Sequence, residues 1–282
     1  MQKLLKLSVA WATLISCLLY GMAASASNQT FHHRMRIALT PDTSAIQVED
    51  HILVPVHIQN QESPVTLDFR LHADLTVSDV QGAQITAHAS HAAANARPVP
   101  VKHYTVTLPP SQKEFTLHFS GAINHAVQGP GEEYARSFSY TPGVISNEGI
   151  FLANSSAWYP QFDDDAMVSF RLDIQIPAGW DVVSQGTLVS EQTTQTAHSI
   201  VWEEKQPQDD IYIVAGRYHR YTQSADAVDA LVYLRGADEA LARKYLDTTA
   251  QYIAMYNKLL GPYPYTKFAL VENFWETGYG MP

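Results

Sequence analysis

Twelve histidines, one cysteine and a run of three aspartates are the side chains of this 282-residue chain best suited to metal or nucleophile chemistry. His32 with His33, and His88 with His91, could each share a metal ion, since imidazole is a common transition-metal ligand. Both pairs fall in stretches read as exposed, where solvated histidines are the expectation and no physiological metal site is assigned. Asp163-Asp164-Asp165 offers the carboxylate oxygens that Ca²⁺ prefers, but a turn between strands accounts for it as well, and the turn is favoured. Cys17 is the only cysteine, which excludes a disulfide framework and any multi-thiolate zinc site. No Gly-x-Ser-x-Gly elbow positions a serine nucleophile. Asn28-Gln29-Thr30 and Asn154-Ser155-Ser156 are glycosylation acceptors only in a source that glycosylates.

Those residues need elements to hold them, and from Phe31 to about Tyr221 the periodicity is that of strands. Met35, Ile37 and Leu39 alternate, as do Val65, Leu67, Phe69 and Leu71. Tyr104, Val106 and Leu108, and then Phe115, Leu117 and Phe119, continue the pattern. Val168 to Ile176 is the longest run, followed by Val182-Val183, Ile200 to Trp202 and Ile211 to Val214. Period-two alternation broken by Gly, Pro and Asp predicts antiparallel strands with one solvated face. No helix is expected before residue 237. Gln81 to Pro100 reads as a long surface loop or extended hairpin, and residues 122–149 as an irregular excursion. The fold class is therefore mainly β: an N-terminal β-sandwich or saddle domain over residues 28–221.

The pattern changes near residue 228. Ala230 to Leu234 predicts a strand, and a helix follows from about Ala237 to Leu260 with Asp238 and Glu239 in its first turn, where negative charge suits the helix dipole. Leu241, Tyr245, Thr249, Tyr252, Ile253, Tyr256, Leu259 and Leu260 mark an apolar stripe at helical spacing. Gly261-Pro262 stops the helix, and Phe268 to Val271 predicts another strand. The tyrosines Tyr245, Tyr252, Tyr256, Tyr263 and Tyr265 are read as packing rather than as a sugar platform. About 55 residues with one helix and two strands cannot bury a core of their own. Either this piece packs wholly on the β-domain or it opens a longer domain, and the second is favoured.

Residues 1–26 read as a signal peptide: Lys3 and Lys6, an apolar run from Leu7 to Tyr20, then Ala24-Ser25-Ala26 as a cleavage site. The run is shorter than the ~20 apolar residues of a membrane span. Leu14-Ile15-Ser16-Cys17 resembles a bacterial lipobox, and a lipidated Cys17 would anchor the mature protein to a membrane. The apolar Leu18-Leu19-Tyr20 after the cysteine favours simple cleavage after Ala26. Both routes place the protein outside the cytoplasm, in a periplasmic or extracellular compartment. With 18 Lys plus Arg against 28 Asp plus Glu, and no basic cluster, nucleic acid is excluded as a partner.

Four stretches carry a family resemblance. They are Gly149-Ile150-Phe151-Leu152 with Ala157-Trp158-Tyr159-Pro160-Gln161-Phe162-Asp163; Phe170 to Trp180 with Gln185-Gly186; Trp202 with Asp210 to Tyr218; and Leu260-Gly261-Pro262-Tyr263-Pro264-Tyr265 with Lys267 to Glu272. In order and spacing they resemble the N-terminal β-domain and the start of the catalytic domain of aminopeptidase N-type zinc metallopeptidases. The resemblance spans about residues 31–282 and implies that 228–282 opens an incomplete thermolysin-like domain. It also implies peptide substrates and a zinc cofactor.

The family's zinc is held by His-Glu-x-x-His on a helix, with the Glu activating a bound water and a later Glu as third ligand. No pair among these histidines has that pattern, so neither catalytic nor metal residues are assigned. The family's exopeptidase loop, usually Gly-Ala-Met-Glu-Asn or Gly-Gly-Met-Glu-Asn, falls at Glu276-Thr277-Gly278-Tyr279-Gly280-Met281-Pro282. Gly280 and Met281 match the small residue and the Met, whereas Tyr279 replaces the first Gly. Pro282 replaces the Glu that pairs with a peptide's free ammonium, so strict aminopeptidase activity is in doubt. Glu276 offers a carboxylate from elsewhere in the loop. Gly280, Met281 and Glu276 are thus the candidate substrate-binding residues, and a peptide-hydrolysing enzyme is expected only together with a downstream zinc domain. The alternatives are a non-catalytic extracytoplasmic binding or scaffold protein that has lost the chemistry, and a stand-alone β-sandwich module.

Overall fold

A computed structural model describes residues 30–88, 99–129, 139–162, 166–225 and 227–275. Seven strands form the largest sheet, in the spatial order β12 (Thr187–Thr193), β13 (Ala197–Gln208), β10 (Met167–Pro177), β1 (Thr30–Thr40), β2 (Ala45–Leu53), β7 (Glu114–Ala122) and β4 (Leu75–Gln81). A second sheet is β3 (Val65–His72), β6 (Val101–Leu108) and β5 (Gln84–Ala87). A third, of short strands, runs β11 (Asp181–Val183), β14 (Ile213–Gly216), β9 (Ile150–Leu152) and β8 (Val144–Ile145). Phe69, Leu71 and Val106 of the second sheet and Ile150, Leu152 and Ile213 of the third share one core with Met35, Ile37, Ile46 and Ile174 of the first. The expected mainly-β sandwich is present. Its driving force is apolar area, at about 1.5–3 kcal/mol for each fully buried aliphatic or aromatic side chain.

The alternating positions behave as period two requires. Phe31, Met35, Ile37 and Leu39 of β1 point inward, and Arg34 and Arg36 lie on the solvated face, pairing with Glu114 at 2.7 Å and Glu49 at 3.1 Å. One ladder departs from the antiparallel expectation. β1 and β10 run parallel with Met35 opposite Leu172, because they are brought together across the whole domain and not by a hairpin turn. Buried Trp202 of β13 donates its indole N–H to Val182 O of β11 at 3.0 Å, and Trp158 donates to Ile211 O at 3.1 Å. Each ring therefore fills core volume and ties a strand or its flanking segment by a hydrogen bond.

Several elements lie where the sequence pattern showed none, β2, β4 and β12 among them. A single helical turn, α1 (Val56–Gln59), follows Pro55, whose carbonyl accepts from the amides of Ile58 and Gln59. Within 81–100, read as a surface loop or extended hairpin, β5 pairs antiparallel with β6, Gln84 opposite Thr107; residues 89–98 lie outside the described residues.

The second unit has its own sheet: β15 (His219–Ala225), β16 (Val228–Leu234) and β17 (Lys267–Val271), with β16 antiparallel to β15 and parallel to β17. Helix α2 (Glu239–Leu260) covers one face and is capped by Asp238, whose carboxylate accepts from Leu241 N at 2.9 Å. The other face packs on the β-domain, where Val183 meets Leu231 and Tyr233. The helical stripe is rotated from the expected one. The buried residues of α2 are Ala242, Leu246, Thr249 and Ile253. Leu241, Tyr245, Tyr252, Tyr256, Leu259 and Leu260 are exposed, Leu260 at 82%. Small Ala242 lets the helix approach Ala230 and Val232, and three strands are too few to cover the wider apolar arc.

Candidate functional site

Parts of the stretches that carry the resemblance meet at the small third sheet: β9, Gln185, β14 and Val271. At its back, Asp210 is the hub. Its Oδ2 accepts from Asn154 N at 2.8 Å, and its Oδ1 accepts from Ile211 N at 2.6 Å and from the Tyr159 hydroxyl at 3.4 Å. Gln185 donates to Asp210 O at 2.9 Å and accepts from Tyr212 N at 2.9 Å. Gln161 donates to Asn154 O at 2.7 Å and also to the Asn154 side-chain oxygen. Burial raises the Asp210 carboxyl to about 7, outweighing the two amides that lower it. Burial, with Asp210 beside it, also drives the Tyr159 hydroxyl well above its ordinary range. Asp210 was read in the sequence only as part of a motif. Its role is visible only once residues 154, 159 and 211 are brought around it.

At the front of that sheet the chain leaving β17 is seated. Val144, Phe151, Ala153 and Val214 form an apolar floor against which Val271, Phe274 and Trp275 pack. The Phe151 and Trp275 rings meet edge-on with centroids 5.1 Å apart, and Phe274 and Trp275 stand at 4.5 Å. A polar brace holds the same place. Glu272 N donates to Tyr233 O at 2.9 Å, the Glu272 carboxylate accepts from Arg235 N at 2.6 Å, and Arg217 reaches Asn147 O at 3.2 Å. The chain is thus anchored on the β-domain up to Trp275. Glu276, Gly280 and Met281, the expected substrate-facing residues, lie outside the described residues, as do Cys17, His91 and Asp163-Asp164-Asp165.

The histidines singled out from the sequence are placed as structural groups. His33 Nδ1 is 2.8 Å from Asp50 Oδ2, both fully buried, and His32 Nδ1 is 2.9 Å from Ser169 Oγ. His88 bonds Thr105 Oγ1 at 2.5 Å. Among the described residues, no group of three or more His, Cys, Asp or Glu side chains is placed to hold a metal ion. The described residues do not form a zinc donor set, and no chemical step is derived through zinc.

A cleft of about 250 Å³ lies between the two units, lined by Thr187, Glu191, Arg220, Tyr233 and Lys267 among others. Arg220 is neutralised by Glu191 at 2.6 Å. Lys267 Nζ lies 5.1 Å from the centre of the Trp202 ring, and burial lowers it to about 8.

No family model matches the chain, and no curated protein does. Solved structures do share its fold. The M1 zinc metallopeptidase from Deinococcus radiodurans is 14% identical with a TM-score of 0.54, over 87% of this chain and 56% of that one. A mutant of that enzyme bound to a Tyr-Ser-Ala substrate gives 12% and 0.55 over the same shares. A mutant described as a two-domain M1 zinc metallopeptidase bound to L-arginine gives 13% and 0.55, again over 87% and 56%. The chain spans little more than half the length of these structures. At such identities the likeness is one of fold.

Proposed function

We propose that this chain is the N-terminal portion of an exported zinc metallopeptidase of the aminopeptidase N type, and that it hydrolyses peptide bonds only together with a downstream zinc-binding domain. The observation that carries this reading is the fold shared over 87% of the chain with M1 zinc metallopeptidases whose own chains extend well beyond the matched part. The apolar outer face of α2 supports it, since a helix stripe of that width needs a further layer. So does β17, none of whose residues is buried although it lies at the edge of its sheet.

In this reading residues 1–26 are a signal peptide, with lipidation of Cys17 as the membrane-anchored variant. The β-domain lies within residues 28–221, and 228–282, joined at its sheet by β15, open the thermolysin-like catalytic domain. The β-domain walls one side of a peptide cleft, and Glu276, Gly280 and Met281 are the residues assigned to substrate binding. The Tyr-Ser-Ala peptide bound to one structural neighbour motivates short peptides as the substrate class. Because Pro282 stands where the family has its amine-binding Glu, cleavage is not confined to the first residue.

The test begins with the reading frame beyond the codon for Pro282. A His-Glu-x-x-His helix followed by a Glu is expected, and the full-length product should carry one zinc and turn over an aminoacyl-amide or short peptide. A frame lacking that helix removes the enzyme reading and leaves an extracytoplasmic binding or scaffold protein.

A further inference from the structure

A second pair of histidines, outside the seat described above, closes the bottom of the β-domain. His72 ends β3 and is fully buried; His125 follows β7 and is half-buried. Their Nε2 atoms stand 2.7 Å apart, with ring centroids at 5.0 Å and planes at 62°. One nitrogen of such a pair must carry the proton and the other must accept it. The amide of Asp74 decides which, because it donates to His72 Nδ1 at 3.1 Å and so keeps that atom unprotonated. Neutral His72 therefore holds its proton on Nε2 and donates it to His125, which carries its own on Nδ1.

No further proton enters without breaking this chain of donors. A proton on His125 Nε2 would face the His72 N–H, and one on His72 Nδ1 would face the Asp74 amide. A metal ion between the Nε2 atoms meets the same obstacle, since it would move the His72 proton to Nδ1. The charged groups facing His72 are Asp74 in its own turn, Lys102 on β6 and His125. Burial, then His125, lower its pKa to about 4, Lys102 adds to this and Asp74 opposes it.

His72 N donates to Ala157 O at 2.8 Å, at the end of the turn held by Asp210. His125 N donates to Gly143 O at 3.1 Å, and Thr141 Oγ1 donates to His125 O at 2.9 Å. Ile145 N donates to Ile123 O at 2.8 Å, which leads directly into β8 and the floor beneath Phe274 and Trp275. We propose that the His72–His125 pair is an acid-released latch. It fastens Ile123–His125 and Thr141–Ile145 to the end of β3 while both imidazoles are neutral, and frees the edge of the third sheet when either takes a proton.

Ring ¹⁵N spectra of the folded chain near neutral pH test the geometry: Nε2 of His72 and Nδ1 of His125 should be the protonated atoms. The reverse assignment, or rapid exchange between tautomers, overturns the proposal. Amide exchange, corrected for its intrinsic pH dependence, tests the release. Protection of the His125 and Ile145 amides should fall about tenfold between about pH 7 and pH 5, while Leu172 and Ile174 in β10 keep theirs. In His125→Gln the amide carbonyl still accepts from His72, but the charge that His125 sets against its protonation is gone, so the fall should become shallower. An unchanged fall in that variant, or equal loss at Leu172 and Ile174, overturns the latch. The ¹⁵N measurement stands even if the variant does not fold.

Discussion

Gly149 and Phe274 approach so closely that a Cβ built on Gly149 would lie 2.1 Å from Cδ1 of the Phe274 ring. The two residues are 125 positions apart, in the β-domain and at the end of the second unit. Gly149 does not have a left-handed backbone, so the glycine is there for space. It lets an aromatic ring lie flat on the turn before β9, and the ring in turn places Trp275 against Phe151.

Gly149→Ala is accordingly expected to push Phe274 off its seat and destabilise the chain by about 1–3 kcal/mol, the usual cost of overpacking. Phe274→Ala alone removes buried ring contacts. In the double variant the two costs should be less than additive, because the ring that clashes is gone. Thermal melts of the four proteins measure this coupling, and strict additivity would contradict the seat.

Asp210 sets a pH dependence whose sign is opposite to that of an ordinary paired carboxylate. Its pKa is raised from 3.8 to about 7, so in that window the folded chain holds a proton the unfolded chain has released. Its contribution to stability is present at the acid end and is lost as pH rises through about 7. Asp210→Asn should flatten that slope. It should also cost about 1–3 kcal/mol, since Asn154 N and Ile211 N bond different carboxylate oxygens and one of them would then face the Asn NH2 group. Urea melts of both proteins at several pH values check slope and offset together.

Lys267 is a cation for which no carboxylate stands within ion-pair distance among the described residues. Burial lowers its pKa from 10.5 to about 8, so stability should rise with pH between those values, where the folded chain binds fewer protons than the unfolded one. Lys267→Met keeps the aliphatic contact with Trp202 and removes the desolvated charge. It is expected to stabilise the chain by about 1 kcal/mol near neutral pH, the loss of the cation–π contact offsetting part of the gain. A lower melting temperature in the variant would show that the charge is compensated.

The outer face of α2 predicts how the isolated chain behaves in solution. With Tyr252, Tyr256, Leu259 and Leu260 exposed, it should self-associate or be trimmed by protease in the second unit. Leu259→Glu with Leu260→Glu should lower the sedimentation-average mass toward that of one chain. An unaltered monomer before and after substitution would mean that the face needs no cover.

Much of the β-domain could be read directly, because a half-buried strand writes its burial into every second residue. β1, β3, β7 and β10 show that alternation. β2 was missed where Asp50 stands at an inward position, fully buried against His33, and breaks the apolar pattern. β4 and β12 were missed because they are the two edges of the large sheet and bury little on either face. The helix was found in its place and ended at the expected Leu260. Its buried face was not, since spacing gives an apolar arc but not the width of the sheet that covers it.

The sequence by itself thus determined the class of fold, the strand followed by one long helix ending at Leu260, and the order of the recognisable motifs. These follow from local chemistry: periodicity, turn residues and helix caps act within a few residues. Tertiary structure alone decided that Asp210 holds Asn154, Tyr159 and Ile211 together, that Gly149 makes room for Phe274, and that His72 meets His125. Apart from the Asp210–Ile211 bond, each is a contact between segments far apart in the chain, fixed by how three sheets share one core, and no spacing rule spans that distance.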